Sequence, residues 1–285
     1  MIGNANILVK IREMKDSLTP VEQKVANSIL EDPGEIPQMS IKMLSKKSRT
    51  SEASVLRFCK TIGYTGFREF IVSITSALAI NTEDKAYTDL RPGDERSEII
   101  QKIAKSNVQS IEDTISVLDI HEVEKAVDSI KKARRIYFFG IGASNLVCED
   151  AAHKFLRINM ECFTWEDNHQ QLAMATLLTP EDTVILISNS GNTKEIVDIL
   201  DVAKKQKAAT IAITRYSKSI LAENSGIVLY ISTPEISIRS GAMGSRIAML
   251  TVIDILFSCV ASEEYDNIRG YLKKTRDVIQ EKERR

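Results

Sequence analysis

The sequence predicts an all-α helix-turn-helix domain joined to an α/β domain with a five-stranded parallel sheet. Three observations carry that prediction. Residues 1–80 are helix-patterned, with short helices separated by Pro and Gly. Residues 81–95, which contain Arg91-Pro-Gly-Asp94, are polar, have no apolar period and read as a linker. From about residue 134 short apolar runs alternate with helical patterns, which is the signature of a parallel sheet covered on both faces. The expected domains are therefore 1–80, a linker at 81–95, and 96–285.

In the first domain Thr19 is a plausible N-cap and Pro20 sits at the first helical position. The helix they start has its apolar phase at Val21, Val25, Ala26, Ile29 and Leu30, and Asp32-Pro33-Gly34 stops it. Ser40 begins a second, short helix with Ile41 and Leu44 inside. Ser51 caps a third that runs to Gly63, with Val55, Leu56, Cys59 and Ile62 on one face. Residues 40–63 thus read as helix-turn-helix, with the turn at Ser48-Arg49-Thr50. The outer face of the last helix bears Ser51, Glu52, Ser54, Arg57 and Lys60. Residues 41–60 hold six basic side chains (Lys42, Lys46, Lys47, Arg49, Arg57, Lys60) against one acid, Glu52, in a chain of net charge −1. Such a local excess suits a surface that faces phosphates, and the last helix would enter a major groove N-terminus first. The competing interpretation is a helical bundle with a solvated basic face.

After the linker comes a long helical pattern at 96–118, with Ile99, Ile103, Ala104, Val108, Ile111, Ile115 and Leu118 in phase. Burial against its own domain is the expectation, and a dimer seam is the alternative. Strands are expected at 135–139, 160–165, 183–188, 209–214 and 227–231, with helices at 144–157, 168–178, 193–206 and 217–224 between them. A final long helix is expected at 239–262. The charged tail, 263–285, reads as helical with a frayed end.

Two loops stand out. Gly140-Ile-Gly-Ala-Ser144 and Ser188-Asn-Ser-Gly-Asn-Thr193 each follow an apolar strand and precede a helix. Short hydroxyls, glycine-freed backbone N–H groups and a helix N-terminus together make an anion cradle. With strand order 2-1-3-4-5 the two loops flank the point where the order reverses, so they converge on one pocket. Two cradles in one unit point to a compact phosphorylated ligand. Ser188, Ser190, Gly191 and Thr193 would supply donors on one side, and Gly142 and Ser144 on the other. His169, in the loop after the second strand, is a further candidate. A nicotinamide cofactor is not expected, because the third glycine of a dinucleotide-binding turn is replaced by Asn145.

Composition narrows the rest. The chain is 43% hydrophobic and 27% charged, and its four cysteines are widely spaced with no CxxC pair. They read as small buried hydrophobes in a reducing compartment, and no metal signature is present. Residues 1–18 lack the apolar core of a signal peptide. The apolar stretch at 247–261 is interrupted by Asp254 and reads as too short to span a bilayer. A cytoplasmic protein with no membrane partner follows.

The N-terminal motif, Ser40-x-x-x-Leu44-Ser45 followed by Thr50-Ser-Glu-Ala-Ser-Val-Leu-Arg-Phe-Cys-Lys60 and Gly63-Tyr-x-Gly66-Phe67-Arg68-x-Phe70, resembles the RpiR-type bacterial transcription regulators. One departure is Arg49, where the family usually has Gly in the turn. Arg49 is either strained there or adds a phosphate contact. The same family carries a sugar isomerase (SIS) domain after the linker, and residues 120–262 resemble it in both Ser/Gly loops, in Asp167-x-His169-Gln170 and in Ser245-Arg246 through Asp254. The resemblance implies regulation of sugar or amino-sugar catabolism genes. A phosphosugar effector would bind at Gly142, Ser144, His169, Ser188, Ser190, Gly191, Thr193 and Glu235. Double-stranded operator DNA would bind at Lys46, Lys47, Arg49, Ser51, Glu52, Ser54, Arg57 and Lys60. No cofactor, no metal and no catalytic residue are expected. A single helix-turn-helix reads few bases, so a homo-oligomer, dimer or tetramer, is expected. The alternative is a phosphosugar isomerase or lyase with a helical appendage. Glu235, after the fifth strand, would then act as base, whereas in a sensor it orients a sugar hydroxyl.

Overall fold

The computed structural model describes residues 6–80, 93–233, 242–263 and 265–283. Residues 81–92 of the expected linker and Glu235 lie outside them. The chain divides into two compact units, with the main division near residue 88.

The first unit is helical: α1 (Ile7–Met14), α2 (Pro20–Glu31), α3 (Ile41–Lys47), α4 (Glu52–Thr61) and α5 (Phe67–Ile80). Thr19 accepts from the backbone N–H of Glu22, whose carboxylate accepts from the N–H of Thr19, so α2 opens with the reciprocal box expected of that spacing. Ser40 and Ser51 cap α3 and α4 through the backbone N–H groups of Met43 and Ser54. The core gathers Ile11, Val25, Ile29, Leu44, Val55, Phe58, Phe70 and Ile74. Phe58 meets Phe70 edge-on at 5.8 Å. Two sequence assignments change. Leu56 and Val21 are exposed, and Phe58 takes the inner place assigned to Leu56. The buried apolar positions of α4 and its C-cap are 55, 58, 59 and 62, the i, i+3, i+4, i+7 set, whereas position 56 is turned 100° from 55.

The second unit begins with α6 (Arg96–Val117) and α7 (Ile120–Lys132). It continues as β1 (Arg135–Gly140), α8 (Ala143–Leu156), β2 (Cys162–Phe163), α9 (Asn168–Ala175), β3 (Asp182–Ile187), α10 (Lys194–Lys205), β4 (Ala209–Arg215), α11 (Ile220–Asn224) and β5 (Ile227–Ile231). Helices α12 (Met243–Glu263) and α13 (Tyr265–Glu283) close it. All strands are parallel, in the order β2-β1-β3-β4-β5. Their side chains alternate between two cores, as a two-residue period requires. Ile136, Phe138, Ile185, Ile187, Ile211 and Ile213 face α7, α8 and α12. Tyr137, Phe139, Val184, Leu186 and Ala212 face α9, α10 and α11. The helix after β1 and the helix after β3 therefore lie on opposite faces, and the order reverses between those two strands. Strand β2 is shorter than the sequence implied, pairing only through Cys162 and Phe163.

Two further expectations are corrected. Helix α12 is 21 residues long and holds an 18-residue window of mean hydropathy 1.6, so by length and composition it could cross a membrane, where the stretch 247–261 read as too short. Its Ala248, Met249, Val252, Ile253, Leu256 and Val260 instead pack in the sheet core, and Asp254 takes an ion pair from Lys154. Helix α6 does not bury its apolar stripe in its own domain. Ile99, Val108, Ile111 and Ile115 are exposed, while Ser110, Asp113 and Thr114 are buried. Periodicity located the stripe and could not say what covers it.

Candidate functional site

The two Ser/Gly loops end β1 and β3, side by side at the reversal point. In the second loop the Ser188 side chain is buried. Its Oγ shares a 2.8 Å hydrogen bond with Thr193 Oγ1 and accepts from the Gly191 N–H at 3.2 Å. Ser190 is exposed, and its Oγ accepts from the Asn192 N–H at 3.2 Å. Gly191 has φ +63. A Cβ there would stand 2.2 Å from Ser219 Oγ and 2.7 Å from Thr214 Oγ1, so both conformation and space demand glycine. The loop is clamped from below, since Leu221 N donates to Gly191 O and Ile220 N donates to Asn192 Oδ1, both at 3.0 Å.

The cap chemistry of the helices that follow is distinctive. Asn6, Thr19, Ser40, Ser51, Asp119, Asp167 and Ser219 each accept a backbone N–H at the start of their helices. Thr193 at α10 and Gly142 at α8 make no such side-chain bond. The Thr193 hydroxyl is engaged with Ser188 instead, and Gly142, at φ +58, has no side chain to offer. The first N–H groups of α8 and α10 are thus left without a side-chain acceptor at the reversal point, where the positive ends of two helix dipoles favour an anion. Ser144 is half-buried, its Oγ 3.9 Å from Met249 Sδ.

Of the predicted effector residues, Gly142 and Ser144 sit on the loop after β1, and Ser188, Ser190, Gly191 and Thr193 on the loop after β3. His169 is exposed on the first turn of α9, and Asp167 beside it is that helix's N-cap, accepting from Gln170 N at 2.8 Å. Gln171 was not anticipated. It is fully buried, and its Nε2 donates to the carbonyls of Gly140 (2.9 Å) and Trp165 (2.7 Å), pinning the first loop. Ser219 and Thr214, which wedge against Gly191, were also missed. Ser219 had a legible signal as the N-cap of Ser219-Ile-Leu-Ala-Glu223.

In the helical unit Lys46, Lys47, Arg49, Ser51, Glu52, Arg57 and Lys60 are exposed. Lys47 pairs with Glu35 at 2.7 Å, and that bond raises its pKa. Ser54 differs from the rest: it is buried, its Oγ 2.9 Å from Ser51 Oγ, so it braces the α4 cap rather than facing outward. Arg49 has φ +53. The N–H of Thr50 donates to Ser45 O at 2.8 Å and that of Arg49 to Lys46 O at 3.1 Å. This is the left-handed helix stop that Gly63, at φ +100, makes after α4. Helix α4 is held from behind by Glu22, whose carboxylate accepts from Thr61 Oγ1 at 2.7 Å. Burial pushes the Glu22 pKa up, but hydrogen bonds from Thr61 and Thr19 and the charge of Arg57 outweigh it and leave the carboxyl below its ordinary value.

The three buried thiols are chemically quiet: burial pushes Cys59 and Cys162 up to about 12 and Cys148 higher still. No group of His, Cys, Asp and Glu able to hold a metal occurs among the described residues.

Comparison with known proteins adds to this geometry. Residues 5–81 match the helix-turn-helix domain model of the rpiR family, and residues 129–259 match the SIS domain model. An uncharacterized HTH-type transcriptional regulator of Caldanaerobacter subterraneus subsp. tengcongensis is 44% identical over 274 residues, spanning 96% of this chain and 97% of its own. A second such regulator, from Bacillus subtilis, is 35% identical over 274 residues, spanning 96% of each. Among solved structures, the Vibrio vulnificus NanR protein complexed with ManNAc-6P is similar over 96% of this chain and 98% of its own, with a TM-score of 0.60 at 26% identity.

Proposed function

The chain belongs to the RpiR family of helix-turn-helix regulators with a SIS domain, and from that premise we propose that it is a DNA-binding transcriptional regulator whose SIS domain senses a phosphorylated sugar. The observation that carries the proposal is the pair of uncapped helix N-termini behind hydroxyl-rich loops at the reversal point of the sheet. Phosphate oxygens are acceptors, so they suit helix-start N–H groups that no side chain caps and the exposed Ser190 hydroxyl. We assign Ser190, the α10 N-terminus and the Gly142–Ser144 turn to the phosphate and the sugar. Ser188, Gly191 and Thr193 shape the loop. His169 and Glu235 stay candidates for the sugar end. Because NanR is named with ManNAc-6P, a phosphorylated amino sugar is the first ligand to test.

On the DNA side we assign residues 1–80, with Lys46, Arg49, Arg57 and Lys60 on phosphates, Ser51 and Glu52 nearest the base edges, and Lys47 free to contact DNA once it leaves Glu35. Residues 81–95 serve as linker and 96–285 as the sensing domain. The protein acts in the cytoplasm on genes of sugar or amino-sugar catabolism, as a homo-oligomer, and does not turn its ligand over.

The test is a DNA-binding titration against a panel of sugar phosphates, with a product assay on the same samples. The best ligand should shift DNA affinity about 5- to 150-fold, and DNA should shift ligand affinity by the same factor. Rapid conversion of the sugar with DNA affinity unmoved overturns the regulator reading in favour of an isomerase or lyase.

A further inference from the structure

The face that α4 turns to solvent is charged at its edges and apolar in its middle. Ser51, Glu52, Ala53, Leu56, Arg57 and Lys60 are exposed, while Ser54, Val55, Phe58 and Cys59 are buried. At about 100° per residue, Glu52 and Arg57 mark the edges of an arc of about 140°, and Ala53 and Leu56 lie between them. Lys60 follows Leu56 one turn toward the C-terminus. Other side chains of the first turns are already engaged. Ser51 Oγ caps the helix, accepting from Ser54 N at 3.2 Å and sharing a 2.9 Å bond with Ser54 Oγ. Arg57 leans back along the helix, its Nη2 3.5 Å from Ser54 Oγ, and its charge is felt by Glu22 behind α4. Leu56 is 40% exposed, whereas Val55 and Phe58 beside it in the chain are fully buried. Ala53, on the same face, is too short to hold another surface away from it. One exposed leucine is ordinary. This one is set apart by its place in the stretch 41–60, whose six basic side chains against one acid suit a phosphate-lined groove.

Resting on the assignment of α4 to operator DNA, we propose that Leu56 reads thymine in that operator through the 5-methyl group. On the floor of the major groove the thymine methyl is the one apolar group that stands out, and the other base edges present donors and acceptors. A leucine set against guanine, adenine or cytosine buries those polar groups with no partner, whereas against thymine it buries a methyl. The contact therefore gains at thymine and costs elsewhere, so a side chain without a hydrogen bond carries specificity. Arg57 and Lys60 suit the phosphates along the groove, and the apolar middle of the face suits its floor. Glu52, at the helix tip, only accepts; it fits a base amino group such as that of cytosine and is repelled by phosphate.

The experiment uses the full chain. Selection from a randomised duplex library supplies a binding site, and fluorescence anisotropy reads affinity. Each thymine of that site is replaced in turn by uracil, which keeps every hydrogen-bonding group and removes only the methyl. Burying one methyl is worth about 4-fold, so uracil at the contacted position should weaken wild-type binding about 4-fold. Leu56→Ala should keep the wild-type Tm, because the side chain lies outside the core, and should bind the thymine and uracil duplexes equally at that position. Lys60→Ala should weaken binding to both duplexes alike and leave the 4-fold ratio standing, as a phosphate contact does. A site in which no thymine methyl matters, or a Leu56→Ala variant that keeps the full ratio at every thymine, overturns the proposal while leaving the regulator reading intact. A library that yields no enriched site overturns the assignment of α4 to DNA, and the reading of thymine with it.

Discussion

Ser188 and Ser190 are two residues apart in one loop, and the structure gives them opposite work, which a pair of alanine substitutions can separate. Ser188 Oγ is buried and joins Thr193 Oγ1 (2.8 Å) and Gly191 N (3.2 Å). Removing it leaves the Thr193 hydroxyl with only a 3.5 Å contact to Ser190, while Gly191 N keeps its 3.2 Å bond to the Ser188 carbonyl. One half-buried hydroxyl thus loses its short bond, a cost of about 1–3 kcal/mol. In a unit of this size each kcal/mol is worth about 2–4 °C, so Ser188→Ala should lower the ligand-free Tm by about 2–12 °C. Ser190 Oγ is exposed and receives only the Asn192 N–H at 3.2 Å. Ser190→Ala should move the ligand-free Tm by less than about 2 °C. It should still cost a charge-assisted bond of about 1.5–3 kcal/mol to phosphate, a drop of about 10- to 150-fold in sugar-phosphate affinity. Differential scanning calorimetry without ligand and isothermal calorimetry with it read the two quantities. Equal Tm losses in both variants, or Ser190→Ala binding sugar phosphate at full strength, would refute the division of labour.

Two predictions concern the DNA-binding unit. Arg49→Gly should raise its stability by about 0.5–1 kcal/mol, since the left-handed conformation at φ +53 costs a side-chain-bearing residue about 1–2 kcal/mol, partly offset by glycine's freer unfolded chain. The same change should reduce the slope of log affinity against log salt by about 0.9, the signature of one phosphate contact, and an unchanged slope in a DNA-binding series would remove Arg49 from the interface. For Glu22 the folded pKa lies below the unfolded one, so its stabilisation is complete above the unfolded value and is lost as pH falls through the folded one, from about pH 5 toward pH 3. Glu22→Gln should flatten that part of the curve, and an equal acid dependence in variant and wild type would show that the Thr19–Glu22–Thr61 network carries none of it.

The fold was legible where chemistry is local. Thr19-Pro20 announced α2, Ser40 and Ser51 announced α3 and α4, and the apolar runs at 135–139, 183–188, 209–214 and 227–231 gave four of the strands to within a residue or two. The fifth, β2, is an edge strand with two paired residues, and an edge needs little apolar run to announce it. Helix α7 was not among the expected elements, although Val123, Ala126, Val127 and Ile130 carry a helical period and Asp119 caps it. Within the site, the loop glycines and hydroxyls were readable as a cradle, yet the sequence could not rank them. Burial of Ser188 and Ser54 depends on neighbours remote in the chain, and so does the wedge of Ser219 and Thr214 that makes Gly191 obligatory.

The rigidity of the two Ser/Gly loops bears on how the proposed sensor would work. The loop after β3 hangs from a strand buried on both faces, and Gly191 and Asn192 are clamped by the backbone of α11. The loop after β1 is pinned by Gln171 at Gly140 O. A site built before its ligand arrives contributes affinity with little ordering cost. If it holds phosphate equally well in every state of the protein, phosphate alone shifts no equilibrium. The differential contacts that make a regulator must therefore come from elements less firmly tied than β1 and β3. One place to look is the end of β5, where Thr114 Oγ1 of α6 donates to Ser232 O and accepts from Ser232 N. Helix α6 is also the first helix after the linker from the DNA-binding unit. On the proposed reading a change at the end of β5 reaches α6 through this contact, with phosphate anchoring the ligand and the sugar setting the signal.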